Sequence, residues 1–180
     1  MAWQVLGGNL TKGFIENHIC ENGIIIDNLY AKQKTLIDKS VKELYKHPYE
    51  DIIINLDINN IDNDIKVADE LDKVILKYHD ITYNIQTHYK NLIKKNRINY
   101  FPRMIVILPL LNWYHKDYLF NDKGIQNNLT LLRSKNIGVF DPNKTRVINS
   151  NKVVDAEKWY ENDHLYQLFC AEFKHYLNRL

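Results

Sequence analysis

Two short runs, Asp51 to Leu56 (DIIINL) and Met104 to Leu108 (MIVIL), limit what this chain can fold into more than any other feature. Each is continuous and rich in β-branched residues, with no alternation of polar and apolar positions. A strand with one wet face alternates; a strand covered on both faces does not. Both runs therefore read as buried strands. Trp3 to Leu6, Gly23 to Ile26 and Gly138 to Asp141 read as shorter ones. Between them the apolar spacing changes from continuous to helical. Tyr30 to His47 carries Leu36, Ile37, Val41, Leu44 and Tyr45 on one face and is ended by Pro48. Ile65, Ala68, Leu71, Ile75, Tyr78, Ile81, Ile85, Tyr89 and Leu92 follow helical spacing, as one helix or as two broken near His79-Asp80. Asp62 or Asp64 can cap that segment. Lys116 to Asn136 and Asp155 to Leu180 complete the pattern, and Thr11 to Cys20 shows a weaker stripe.

Strands alternating with helices predict an α/β fold. The expectation is a three-layer α/β/α sandwich around a parallel sheet of about five strands. The 180 residues are expected to form a single domain, 1–180, with no linker or repeat. A chain of this size buries about two-thirds of its unfolded surface and needs no metal or disulfide staple. In such sheets ligands sit outside the carboxyl ends of the strands. Those ends are Gly7-Gly8-Asn9, Asp27-Asn28, Asp57 to Asn60, Leu110 to Tyr114 and Asp141.

Composition narrows the classes. A net charge of +2 does not by itself imply a polyanionic partner. No run approaches the roughly 18 apolar residues of a membrane span. The start, MAWQVLGGNL, has no basic region and no long apolar core. An intracellular, cytoplasmic protein without a secretory signal is expected. Cys20 and Cys170 sit far apart in periodic apolar segments and read as buried free thiols, with a disulfide between them as the alternative. The seven His residues form no His-x-x-x-His and no Cys/His cluster, so neither a metal nor a cofactor is expected.

The first strand exit reads Gly7-Gly8-Asn9-Leu10-Thr11-Lys12-Gly13. This resembles the Gly-Asp-Ser-Leu-Thr-x-Gly block of SGNH/GDSL-type hydrolases. Gly8 stands where that family has Asp, and Asn9 where it has the nucleophilic Ser. Asp57-Ile58-Asn59-Asn60 looks like the family's Gly-x-Asn-Asp block, with Asn59 at the oxyanion-hole position. Glu161-Asn162-Asp163-His164 looks like the Asp-x-x-His block ahead of the last helix. The resemblance implies an SGNH-like fold, with His164 as general base and Glu161 as its carboxylate. The second block's Gly has no counterpart, since no Gly lies between Gly23 and Gly124.

Serine hydrolysis needs a hydroxyl nucleophile, a base and oxyanion donors. The Asn9 amide cannot be that nucleophile, and Thr11 falls two residues on, displaced from the base. The resemblance therefore implies a degenerate site, acting as a module that binds a protein or a nucleic acid. Self-association belongs to the same reading. A second possibility is an active ester or acyl hydrolase, with His164, Glu161 and Asn59 serving an unusual nucleophile or an activated water. A third is a structural or assembly protein of a virus or mobile element. Gly7 and Gly8 suit a tight turn with positive φ. Asn59 and Asn60 suit a helix cap as well as a ligand.

One basic stretch, Lys90, Lys94, Lys95, Arg97 and Arg103, lies around the end of the long helix. Cations there are favoured by the helix dipole. The same residues, interleaved with Tyr89, Tyr100 and Phe101, also suit phosphate contact and base stacking. Phe101 is expected to pack on the core.

Overall fold

The computed structural model describes residues 2–6, 22–27, 42, 44–56, 58, 64–115, 121–150, 159 and 161–180. The strands are β1 (Ala2–Leu6), β2 (Asn22–Asp27), β3 (Asp51–Asn55), β4 (Arg103–Ile107) and β5 (Ile137–Phe140). They pair in parallel in the order β1-β2-β3-β4-β5. The helices are α1 (Asp64–Lys94), α2 (Lys123–Ser134), α3 (Arg146–Ser150) and α4 (Asp163–Asn178).

The period of two along a strand divides each apolar run between two cores. Ile52, Ile54, Met104 and Val106 join Ile24, Ile26 and Val139 beneath α1 and α2. Ile53, Ile105 and Ile107 join Ile25 and Phe140 against α3 and α4. Both faces are covered, and the polar residues of these strands, Asp51, Asn55 and Arg103, stand at their ends while the positions between are apolar. The strands β3 and β4 are adjacent, and both are almost wholly buried, as their composition leads one to expect.

The strand order never reverses. Right-handed crossovers that all step the same way lay their helices on one face. Accordingly α1 and α2 share one core with Leu44. The opposite face is covered by chain that follows β5, through Val147, Trp159, Leu165, Phe169 and Phe173. An open sheet usually binds its ligand where the strand order turns back; this order has no such point.

The helix α1 runs unbroken for 31 residues through His79 and Asp80. Tyr78 and Tyr89 lie eleven residues apart, about three turns, and so share its sheet-facing side. The Tyr78 hydroxyl accepts from the Leu56 amide at 2.7 Å and donates to the Ile107 carbonyl. The Tyr89 hydroxyl accepts from the Tyr49 amide at 2.7 Å and donates to the Tyr49 carbonyl at 2.9 Å. These contacts set α1 antiparallel to β3. Contacts from His79 to the Asn128 carbonyl (3.0 Å) and from Gln86 to the Lys135 carbonyl (2.9 Å) then set α2 parallel to α1.

Two helices are shorter than their apolar periodicity predicts. Within Lys116 to Asn136, Asn121 is helical but α2 begins anew at Lys123, where Asp122 caps it by accepting from the Ile125 amide at 2.9 Å. Residues 116–120 lie outside the described residues. Within Asp155 to Leu180, α4 begins at Asp163 because Asn162 accepts from the Leu165 amide at 2.9 Å. Periodicity cannot see a cap; the short side-chain acceptor decides the start.

The helix α4 lies over β5. Phe140 meets Phe169, Phe173 and Tyr176 with centroids 5.5, 5.1 and 5.4 Å away. A Cβ at Gly138 would stand 2.7 Å from the Tyr176 hydroxyl. Glycine at this position lets the helix approach so closely. Since Tyr176 meets the middle of β5 and Phe169 its end, α4 also runs antiparallel to the strands.

Candidate functional site

At the carboxyl edge, the SGNH-like residues divide. Gly7, Gly8, Asn9, Thr11 and Asn59 lie outside the described residues. Glu161 and His164 are exposed, on either side of the cap Asn162. The strand order puts β1 and β5 at opposite sides of the sheet, about 19 Å apart at the usual strand spacing. Asn9 follows β1, while His164 opens the helix that lies over β5.

The carboxyl ends of β3, β4 and β5 are closed by protein groups. Tyr78 joins the ends of β3 and β4 from beneath. Asn143, buried, donates to the Pro109 carbonyl and accepts from the Leu111 amide, both at 2.8 Å. Oδ1 of Asp141 accepts from the Asn143 amide at 2.9 Å and its side chain at 3.0 Å. The chain after β4 is thereby tied to the chain after β5. Oδ2 of Asp141 has no partner, and burial raises its carboxyl above the usual range, against the hydrogen bonds from Asn143. Sequence reasoning gave Asp141 only as a strand exit and missed Asn143. The local signal was Asp-Pro-Asn, a self-bonding Asx turn. Trp113 and Tyr114 stand exposed nearby. Asp69, Asp72 and Asp122 gather where α1 and α2 begin. There burial first, then Asp122 and Asp69, raise the Asp72 carboxyl.

The amino edge is different. Because α1, α2 and α4 all oppose the strands, their carboxyl ends meet there. At the end of α1, Asn96 takes φ of 55°, and the Arg97 amide donates to the Leu92 carbonyl at 3.0 Å. This left-handed turn closes the helix and leaves Lys90, Lys94, Lys95 and Arg97 exposed around it. At the end of α2, Asn136 repeats the device with φ of 61°, beside exposed Arg133 and Lys135. Lys174 and Arg179 are exposed at the end of α4. Lys42 and Lys46 are exposed ahead of β3, where Asn22 anchors the chain by donating to the Pro48 carbonyl at 3.0 Å. Ten exposed cations thus share one edge. Three helix ends carry about −0.5 charge each, far less than these cations supply. The whole chain is only +2; among the described residues positive charge is concentrated here, with exposed Glu50 as an anion on the same edge.

Arg103 departs from the sequence reading. Its guanidinium makes a bidentate pair with buried Asp51, at 2.7 and 2.8 Å. It is therefore engaged inside the protein, unlike Lys94, Lys95 and Arg97. Phe101 departs as well: it is 43% exposed rather than packed on the core, whereas Tyr89 is wholly buried. Tyr45, placed on the inward stripe of its helix by periodicity, is also 43% exposed.

These rings form a series. Tyr45 and His88 have centroids 4.4 Å apart, His88 and Tyr89 5.9 Å, and Tyr89 and Phe101 6.3 Å. Burial, then the charge of Lys95, lowers the basicity of His88. Burial raises the Tyr45 hydroxyl, and burial followed by Glu50 raises that of Tyr100.

Among the described residues no group of His, Cys, Asp and Glu could hold a metal, and no helix is long and apolar enough to cross a membrane. Cys170 is a free, half-buried thiol that burial makes less acidic; Cys20 lies outside the described residues. Comparison with protein-family models, with curated proteins and with solved structures finds no match to this chain.

Proposed function

We propose that this chain is a binding module, not a hydrolase, and that its amino edge takes a nucleic acid. The observation that carries this reading is the concentration of ten exposed cations on one edge of a protein whose net charge is only +2. A phosphate backbone is a linear array of anions, and cations spread over three helix ends match it by counterion release. The non-catalytic half rests on Asn9, which has no hydroxyl to offer. It is further supported by the exposure of Glu161 and His164. An exposed pair is screened by water and poorly held as a base and its orienting partner. On this reading the SGNH-like blocks are a resemblance without the chemistry.

The test is binding of labelled RNA and DNA against salt. A linear fall of log K with log salt is expected. Changing Lys94, Lys95 and Arg97 together to Glu should flatten the slope by about 2 for single strands, from about 0.7 per phosphate contact. The same preparation should show no ester hydrolysis above background. Turnover that disappears in His164→Ala would replace this reading with the hydrolase. Binding that ignores salt and the triple charge reversal would remove the nucleic-acid partner.

A further inference from the structure

We infer that the amino edge is built for a single strand, with bases stacked on Tyr45 and Phe101. This rests on the nucleic-acid reading and deepens it. Exposed aromatic residues scattered singly need no explanation. Here the two exposed rings end one connected series, Tyr45–His88–Tyr89–Phe101, with centroids 4.4, 5.9 and 6.3 Å apart in turn. Its middle is rigid. Tyr89 is wholly buried, and its hydroxyl is bonded to both the amide and the carbonyl of Tyr49. His88 is held between Tyr45 and Tyr89. Each outer ring thus packs on one side against that middle, which limits the ordering cost of stacking.

Cations lie among the rings. Lys46 adjoins Tyr45 in sequence, and Lys95 is close enough to His88 to oppose its protonation. A platform of rings within a positively charged groove is how proteins hold single strands, because every base has a π-face to stack. A duplex keeps its bases stacked on one another and offers these rings nothing but its backbone. The exposed pair Trp113 and Tyr114 follows β4 at the other edge, the edge that also carries Asp72 and Asp122, and is not part of this surface.

The experiment compares single-stranded RNA, single-stranded DNA and the matching duplex, each about 16 nucleotides long, by fluorescence anisotropy at one salt concentration. Single strands of at least one sugar type should bind more tightly than the duplex. Tyr45→Ala and Phe101→Ala should each weaken single-strand binding about 5- to 150-fold, with the salt slope unchanged. Tyr45→Phe and Phe101→Tyr keep the rings and should keep the affinity, which covers the case in which an alanine variant fails to fold. Trp113→Ala should have no effect. Duplex binding as tight as single-strand binding, or alanine variants that bind like the unaltered protein, would overturn this inference. The nucleic-acid reading would then survive if the triple charge reversal still abolished binding. If no nucleic acid binds at all, both fall.

Discussion

At the carboxyl edge the Tyr78 hydroxyl joins β3 to β4, and Asn143 joins the chain after β4 to the chain after β5. At the amino edge, three turns along the same helix, Tyr89 grips the backbone of Tyr49, but the surface beyond it opens onto exposed rings and lysines. Open α/β sheets usually bind ligands at the carboxyl edge because reversed strand order parts neighbouring loops there. This sheet steps in one direction, and the carboxyl ends of β3, β4 and β5 are closed. Helix amino ends, which would attract an anion at that edge, carry Asp69, Asp72 and Asp122 instead. The usual location of a site is thus a consequence of topology. Once the topology changes, charge and exposure are the better guides.

The sharpest way to test that contrast is to separate two kinds of cation on the amino edge. Arg103→Ala leaves the buried Asp51 carboxylate without its bidentate partner and should cost about 3–5 kcal/mol of stability. Lys94→Ala removes an exposed charge and should change stability by less than about 0.5 kcal/mol. Urea unfolding measures both. A similar cost for the two would mean that the exposed cations are structural, and the case for a ligand surface would weaken.

Next in size is the closure of the other edge. Tyr78→Phe keeps the ring but takes a hydrogen-bond partner from both the Leu56 amide and the Ile107 carbonyl. A loss of about 1–3 kcal/mol is expected. Hydrogen exchange at Leu56 should accelerate with it. An unchanged protein would show that the seam between β3 and β4 does not depend on this hydroxyl.

The contrast between the edges also marks what the sequence could reveal. The runs DIIINL and MIVIL carried the two buried strands β3 and β4, because burial on two faces leaves a compositional mark. The inward stripe of α1 was equally legible from Ala68 to Tyr89, although Ile65 at its start is 70% exposed because the first turn projects beyond the opposing layer. The functions of the Tyr78 and Tyr89 hydroxyls were not legible. A tyrosine in an apolar stripe looks the same whether or not its hydroxyl finds a backbone partner. Arg103 looked like its basic neighbours, since its partner Asp51 is distant in sequence and becomes adjacent only through strand register. Phe101 and Tyr45 were misplaced because periodicity gives the inward side of an element and not where the opposing layer ends. The ends of α1 and α2 were obscured for another reason. With six Gly and 22 Asn in the chain, Asn96 and Asn136 take the left-handed positions that glycine usually marks.

A smaller effect concerns the buried carboxyl at the closed edge. Burial raises Asp141 above its unfolded value, so the folded state holds its proton more tightly. Its contribution to stability is therefore present at low pH and is lost as pH rises through the carboxylate range. Asp141→Asn keeps an Oδ1 acceptor for Asn143 and removes the charge from the partnerless Oδ2. The variant should be more stable at pH 7, with an advantage that shrinks on acidification. A variant less stable at pH 7 would show that ionised Oδ2 has a stabilising role, and the carboxyl edge would then be a candidate site after all.

The smallest effect lies within the ring series at the open edge. Burial and then Lys95 depress His88 below the ordinary imidazole value, so the unfolded chain takes up this proton first as pH falls. Stability should therefore be unaffected by His88 above about pH 6.5 and should decline below it, levelling off beneath the folded value. Thermal unfolding between pH 7.5 and 5.5 should show the decline in the unaltered protein and less of it in His88→Gln. The comparison with Lys95→Gln tests the second cause: removing that charge should bring the imidazole titration closer to its ordinary value, as followed by NMR. An imidazole that titrates normally in the unaltered protein would mean that the ring is open to water. The series from Tyr45 to Phe101 would then lack the rigid centre that distinguishes it from two unrelated exposed rings.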